Sequence, residues 1–265
     1  MNKGMKRFLV VLLGLILVVG VMGCSNSGGN DKQGKAKTTF DQITAKGKIV
    51  VGTSADYKPF EYIDQDGKIV GFDVEIMKAV GKELGLKVEF VDTAFDGLIP
   101  SLKSKKYDVV VSAMTITEKR EKAVDFTQPY FNAGQVIAVM DNDDSIKSPE
   151  DLTGKVVGVQ LGTTGDLKAS EMENLKEIKR YEKMTQAYIE LKNGRIDAVV
   201  NDLPVTAAYI MENPDVKIVG KPFTDENYGI AVREGDDKLE KEINGAITKL
   251  KENGTYDEIY NKWFE

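Results

Sequence analysis

Two stretches of this chain, Leu102–Val111 (LKSKKYDVVV) and Leu191–Val200 (LKNGRIDAVV), align without a gap and share five of ten residues. Each reads as the end of a helix, a polar turn and a buried, valine-rich strand. Lys48–Ser54 (KIVVGTS) and Lys155–Leu161 (KVVGVQL) form a second matched pair, each an early strand running into small or polar residues. A chain that repeats these units in the same order builds two lobes of like construction. Facing each other, such lobes turn four strand ends into one cleft, and open α/β sheets hold small ligands at the carboxyl ends of their strands. The 265 residues give room for two lobes of about 100 residues each.

Between the repeats, strand and helix patterns alternate, as in βαβ units around a parallel sheet. Helices are expected over 72–84, with Gly85 as C-cap, and over 95–104, 188–192, 204–211, 238–251 and 256–264. Strands are expected over 88–91, 107–113, 135–140, 177–181, 196–201 and 228–232. Tyr107–Tyr130 holds the densest polar chemistry. Its strand opens into Ser112, Ala113, Thr115 and Thr117, then Lys119 and Arg120. An arginine at a strand's carboxyl end suits a planar carboxylate, since its fork of N–H groups engages both oxygens. From this stretch alone, a surface turn with a solvated arginine competes on nearly even terms.

The N-terminus stands apart. Lys3, Lys6 and Arg7 precede an apolar run of 15 residues, Phe8 to Met22, shorter than the roughly 20 that span a bilayer. Residues 1–23 therefore read as a secretory signal. The only cysteine, Cys24, follows it in Val21-Met22-Gly23-Cys24, which resembles a bacterial lipobox with valine in place of the preferred leucine. Lipidation of Cys24 is expected, with residues 24–47 as a flexible tether. The formal charge is 36 − 42 = −6, or −9 without the three signal cations. An acidic body with no basic stripe argues against nucleic acid. With no histidine and one cysteine, a zinc site or a thiol or imidazole catalyst is excluded in practice, and no metal or cofactor is expected.

GTSADYKPFEY (52–62), GFDVEIMKAVGKELG (71–85), FDGLIPSL (95–102), TITEKR (115–120), DFTQPY (125–130), GTTG (162–165), RIDAVVND (195–202) and NGTYDEIYNKWF (253–264) occur in series. Together they resemble the bacterial extracellular amino-acid-binding proteins, the family 3 solute-binding components of ABC importers. The resemblance runs from about Lys48 to Glu265. It implies an α/β, two-lobe periplasmic-binding-protein-like (type II) fold with two hinge strands and a central ligand cleft. Lobe 1 would comprise 48–131 plus 226–265 and lobe 2 137–222, with hinges at 132–136 and 223–225. A ligand would close the lobes by hinge motion.

By the same resemblance, Arg120 holds a ligand α-carboxylate and Asp202 its α-ammonium. Ser112, Ala113 and Thr115, with Thr163 and Thr164, supply hydroxyl and backbone groups, and Tyr57 and Phe95 flank the side chain. The chemistry agrees, because a zwitterion stripped of water needs both charges matched, and a helix N-terminus at Thr163–Thr164 offers N–H groups to an anion. Asp202 also fits a helix N-cap before Leu203-Pro204, and Tyr57 and Phe95 fit ordinary packing. Ser54 stands where many members carry an acid, which removes one partner for a cationic ligand. The amides of Gln160 and Asn201 suit a side-chain amide or guanidinium. Glutamine and arginine are the leading ligands, delivered to the permease subunits of an ABC importer by a monomeric, membrane-anchored protein on the outer face of the membrane. Two other readings stand beside this one. In the first, a dehydratase of the cyclohexadienyl type on the same fold uses a carboxylic acid such as Glu61 or Glu171 as proton donor. In the second, the chain is a receptor sensor domain.

Overall fold

The structure is a computed structural model and describes residues 37–265. The expected signal segment, Cys24 and most of the expected tether lie outside the described residues. The last part of that tether is a helix. Thr39–Lys46 is opened by a capping box between Thr38 and Asp41 and closed by Gly47 in the left-handed region, φ 67°. It buries Ile43 and is tied to the C-terminal part of the chain by Lys238–Asp41. The Thr38-x-x-Asp41 pattern and Gly47 are legible capping signals that the tether reading overlooked.

Two five-stranded sheets dominate, and they are built alike. The first runs Lys87–Asp92, Lys48–Thr53, Val109–Val110, Ala231–Arg233, Val124–Phe126. The second runs Glu177–Tyr181, Val156–Gln160, Ala198–Asp202, Gln135–Met140, Val216–Val219. In each, the first three strands are parallel and the chain returns antiparallel beside the third. The third strands are buried on both faces. Val109 and Val111 enter one apolar cluster and Val110 another, and Val199 is likewise separated from Ala198 and Val200. Helices on both sides of a parallel sheet require this.

The register corrects the second sequence echo by one residue. Val51 pairs with Val109, and Val157 with Ala198, so Gly52 corresponds to Gly158 and Ser54 to Gln160. The reason is steric. A Cβ on Gly52 would lie 2.4 Å from the Tyr107 ring, and one on Gly158 2.4 Å from Ile196 Cδ1. Tyr107 and Ile196 are equivalent in the Leu102/Leu191 echo, so each lobe makes the same crossing of a glycine by the residue that leads into its third strand.

The chain passes between the sheets twice. These passages, Phe131–Ala133 and Glu226–Tyr228, pair antiparallel with each other, close to the expected hinges at 132–136 and 223–225. The strand expected over 228–232 is two strands, Glu226–Tyr228 in the crossover and Ala231–Arg233 in the first sheet. On the outer side of the first sheet, Asp237–Glu252 buries the stripe Leu239, Ile243, Ala246, Ile247 and Leu250, the i, i+4, i+7 spacing of an amphipathic helix. Thr255–Phe264 adds Tyr260 and Phe264 to an aromatic cluster with Phe60, Phe72, Phe131 and Tyr228.

Candidate functional site

A narrow cavity lies between the sheets, lined by Tyr57, Glu61, Phe95, Ala113, Thr115, Arg120, Gln160, Thr163, Thr164 and Asp202. Nine of the twelve residues singled out from sequence therefore meet there, and Glu61 joins them. The other three, Ser54, Ser112 and Asn201, stand one layer behind. Ser112 Oγ accepts from the Ser54 amide at 3.0 Å and donates to Glu61 Oε1 at 2.7 Å. Asn201 Oδ1 accepts from the Tyr57 hydroxyl at 2.5 Å. They hold the lining in place.

Arg120 is 7% exposed. Thr117 caps its short helix by accepting from the Arg120 amide, which aims the side chain into the cleft. One guanidinium nitrogen donates to the Thr115 carbonyl at 2.6 Å and another to the Gly162 carbonyl across the cleft at 3.2 Å. The Phe95 ring lies 5.2 Å away as a cation–π partner. Burial lowers the guanidinium pKa to about 10. Among the described residues it forms no ion pair within 4.0 Å, so its remaining N–H groups are open to an anion.

Asp202 occupies an N-cap position, yet its side chain makes no capping bond. Its oxygens instead accept from Gln135 Nε2 and the Tyr228 hydroxyl. Burial, reinforced by the neighbouring Glu226 charge, lifts its pKa to about 7. Glu226 itself is buried. Its Oε2 accepts from Thr115 Oγ1 at 2.7 Å and Thr164 Oγ1 at 2.6 Å, and its Oε1 from Thr224 Oγ1 at 2.9 Å. A hydroxyl has one proton to give. With those protons directed at Glu226, Thr115 and Thr164 present only lone pairs to the cavity and act there as acceptors.

Thr163 caps Thr164–Glu171. Its hydroxyl donates to the Gln160 carbonyl at 2.8 Å and accepts from the Asp166 amide, and its own amide donates to Gln160 at 3.3 Å. Thr163 is thus spent on building the turn. The Thr164 amide has no acceptor among the described residues and remains as a helix N-terminal donor.

A second charged group sits apart from Arg120 and Asp202. Glu61 and Asp73 are fully buried carboxyls held by adjacent residues, Ser112 and Ala113, and burial raises both above the usual carboxyl range, Glu61 well above it with the Asp73 charge adding to the shift. Asp73 Oδ2 accepts from the Ala113 amide at 2.7 Å and the Tyr130 hydroxyl at 2.8 Å, which holds Ala113 at φ 43°. The other oxygens, Glu61 Oε2 and Asp73 Oδ1, have no hydrogen-bond partner. Sequence reasoning missed Asp73, Gln135 and Glu226. Glu226 precedes the strand expected from 228, and only the observed strand Glu226–Tyr228 places it on the same face as the buried Tyr228.

The halves meet across the cleft at further points. The Met184 amide donates to Asp56 Oδ2 at 3.0 Å, Lys58 pairs with Glu212, and Thr115 and Thr164 hydroxyls are 3.4 Å apart.

Comparison with known proteins bears on this geometry. The description "Bacterial extracellular solute-binding proteins, family 3" matches residues 49–265. The putative ABC transporter arginine-binding protein 2 of Escherichia coli K12 is 40% identical over 227 residues, 84% of this chain and 93% of that one. An ancestral arginine-binding protein has been solved with arginine (51% identity, TM-score 0.81, covering 83% of this chain and 99% of that one) and with glutamine (52%, 0.80, 82% and 98%). The ancestral amino-acid-binding protein AncCDT-1, described as a precursor of cyclohexadienyl dehydratase, is 47% identical, with TM-score 0.81 and coverage of 86% and 100%.

Proposed function

The chain belongs to the bacterial extracellular solute-binding proteins, family 3, and on that premise we propose that it captures a free L-amino acid, arginine first, for an ABC importer. Arg120 takes the α-carboxylate with the Thr164 amide. Asp202 takes the α-ammonium, helped by the acceptor faces of Thr115 and Thr164. Tyr57 and Phe95 flank the ligand.

The observation that carries arginine over glutamine is Glu61, a buried acid on the cavity wall with an oxygen left unpartnered. A guanidinium beside Glu61 can form a charge-assisted pair with its carboxylate, whereas glutamine meets Glu61 as a protonated acid and gains only a neutral hydrogen bond. Glu61 thus supplies the acid that Ser54 does not. The ancestral relative's complexes with both amino acids support the pair named here. Lipidation of Cys24, anchoring on the outer membrane face and action as a monomer complete the reading. Among the described residues no helix is long and apolar enough to cross a membrane.

A thermal-shift screen against the twenty amino acids, followed by calorimetry, tests the proposal. Arginine should give the largest shift. A larger shift with a neutral amino acid would sink the arginine assignment. The dehydratase reading draws on the raised Glu61 carboxyl and the likeness to AncCDT-1. It requires turnover of prephenate, and an inert mixture of protein and prephenate removes it.

A further inference from the structure

We infer that the Glu61–Asp73 carboxyl pair holds one shared proton in the empty cavity and exchanges it for the cationic side chain of the ligand. The site then releases a proton to solvent on binding arginine and keeps it with a neutral side chain. This rests on the arginine reading above and adds a linked equilibrium to it.

The geometry leads there step by step. Two neighbouring carboxyls out of water do not both ionise, because the second charge meets both desolvation and its neighbour. The unpartnered oxygens are the two that remain after every other donor is assigned. Glu61 Oε1 has Ser112, and Asp73 Oδ2 has Ala113 and Tyr130, leaving Glu61 Oε2 and Asp73 Oδ1. A single proton between them satisfies both. The groups around the pair supply no replacement cation. Asp56 adds another negative charge, and Ser112, Tyr130 and the Ala113 amide are neutral donors. Among the described residues neither Glu61 nor Asp73 joins an ion pair within 4.0 Å. Only a ligand brings a positive charge to Glu61, and it can do so because Glu61 lines the cavity. When a guanidinium arrives, its N–H groups take over the role of the shared proton, which departs to the buffer. A neutral amide or ureido group meets Glu61 as a carboxylic acid, which can donate to its carbonyl.

Linkage fixes the sign. Below the pKa of the pair, arginine affinity rises up to tenfold per pH unit and then levels off, while affinity for a neutral isostere does not rise with it. Asp202 is lifted in the same manner, but it faces the α-ammonium of every amino acid, so its proton cancels between ligands.

The test is calorimetry of the purified full chain with arginine and with citrulline, its uncharged isostere, near pH 7. Each titration is run in two buffers of different ionisation enthalpy. The expected result is that arginine releases about one proton more than citrulline. In Asp73→Asn the amide can donate to Glu61 in place of the proton and its oxygen can keep the bonds from Ala113 and Tyr130. That variant should bind arginine with the excess proton release abolished. If wild-type protein binds arginine and the two ligands release equal numbers of protons, the inference is wrong and the arginine reading stands. If the excess survives in Asp73→Asn, the proton is held by Glu61 alone or by another group, and its sharing with Asp73 is refuted. If arginine does not bind, the reading of function falls first and this inference with it.

Discussion

Replacing Arg120 by methionine should act in opposite directions on binding and on the stability of the ligand-free protein. The guanidinium is almost fully buried, and its lowered pKa, about 10 against 12.5, corresponds to about 3 kcal/mol by which the fold disfavours its charge. Against this stand two hydrogen bonds to backbone carbonyls, about 1.5–3 kcal/mol each when the donor is charged. A methionine of similar length relieves the first and forfeits the second. Asp202, whose pKa is already near 7, limits the imbalance by keeping a proton. The ligand-free stability should therefore shift by no more than about 2 kcal/mol, a change in Tm of under about 8 °C for a domain of this size. Binding has no such compensation. A charge-assisted, two-pronged contact to a buried carboxylate is lost and the ligand anion is left unpaired, at about 3–5 kcal/mol, or roughly 150- to 5,000-fold in Kd. The assay is differential scanning calorimetry with and without arginine, followed by isothermal titration. A ligand-induced shift close to wild type, with Kd within about tenfold, would refute the carboxylate role. A variant that unfolds without ligand would refute the account of the buried charge.

Three further outcomes are expected. Asp202, Glu61 and Asp73 all have pKa values raised by burial. The folded, ligand-free chain therefore binds more protons than the unfolded chain above pH 3.8, and the resulting stability is lost as pH rises, through about 7 for Asp202. Its Tm should fall between pH 5 and pH 8, by scanning calorimetry, and a rise across that window would contradict the assignment. Glu226→Met removes the acceptor that orients the Thr115 and Thr164 hydroxyls. It should weaken amino-acid binding by about 10- to 100-fold while affecting the des-amino analogue far less, and an equal loss for both ligands would assign Glu226 a merely structural part. Gly52→Ala should cost more than Gly158→Ala in urea unfolding, about 3 against 1 kcal/mol. The added methyl meets a buried ring held by the Tyr107 hydroxyl's bond to the Leu98 carbonyl (2.6 Å) in the first case, and only the tip of Ile196 in the second. The reverse order would undermine the steric explanation of the register.

Much of the scaffold was legible because it rests on periodicity. The alternation of buried strands and amphipathic helices and the Leu102/Leu191 echo gave two sheets of like order, and strand ends led to Arg120 and Asp202. What the residues hid was direction. Position at a strand's end brings Ser54, Ser112 and Asn201 near the cleft, but pleat and register decide that they support the lining residues. The acids were harder still. In a chain with 42 of them, Asp73 reads as an ordinary helix N-terminal charge and Glu226 as a solvated loop residue, and only tertiary packing buries them. Glu61 was legible as a possible proton donor and not as a wall of the binding cavity.

The order of strands also has a consequence for how the chain acquires its shape as it is made. The second sheet is contiguous, all of it between Gln135 and Val219, so its contacts are within reach once that segment has emerged. The first sheet waits for Ala231–Arg233, and its outer face for Asp237–Glu252 and Thr255–Phe264. Until the final residues are synthesised, the apolar faces of Phe60, Phe72 and Phe131 lack the helix residues Tyr260 and Phe264 that pack against them. The half that is begun first is thus finished last, with its closing contacts among the longest in sequence separation and the slowest to form. A nascent chain stalled before Asp237 would carry a complete second half beside an open, aggregation-prone first one.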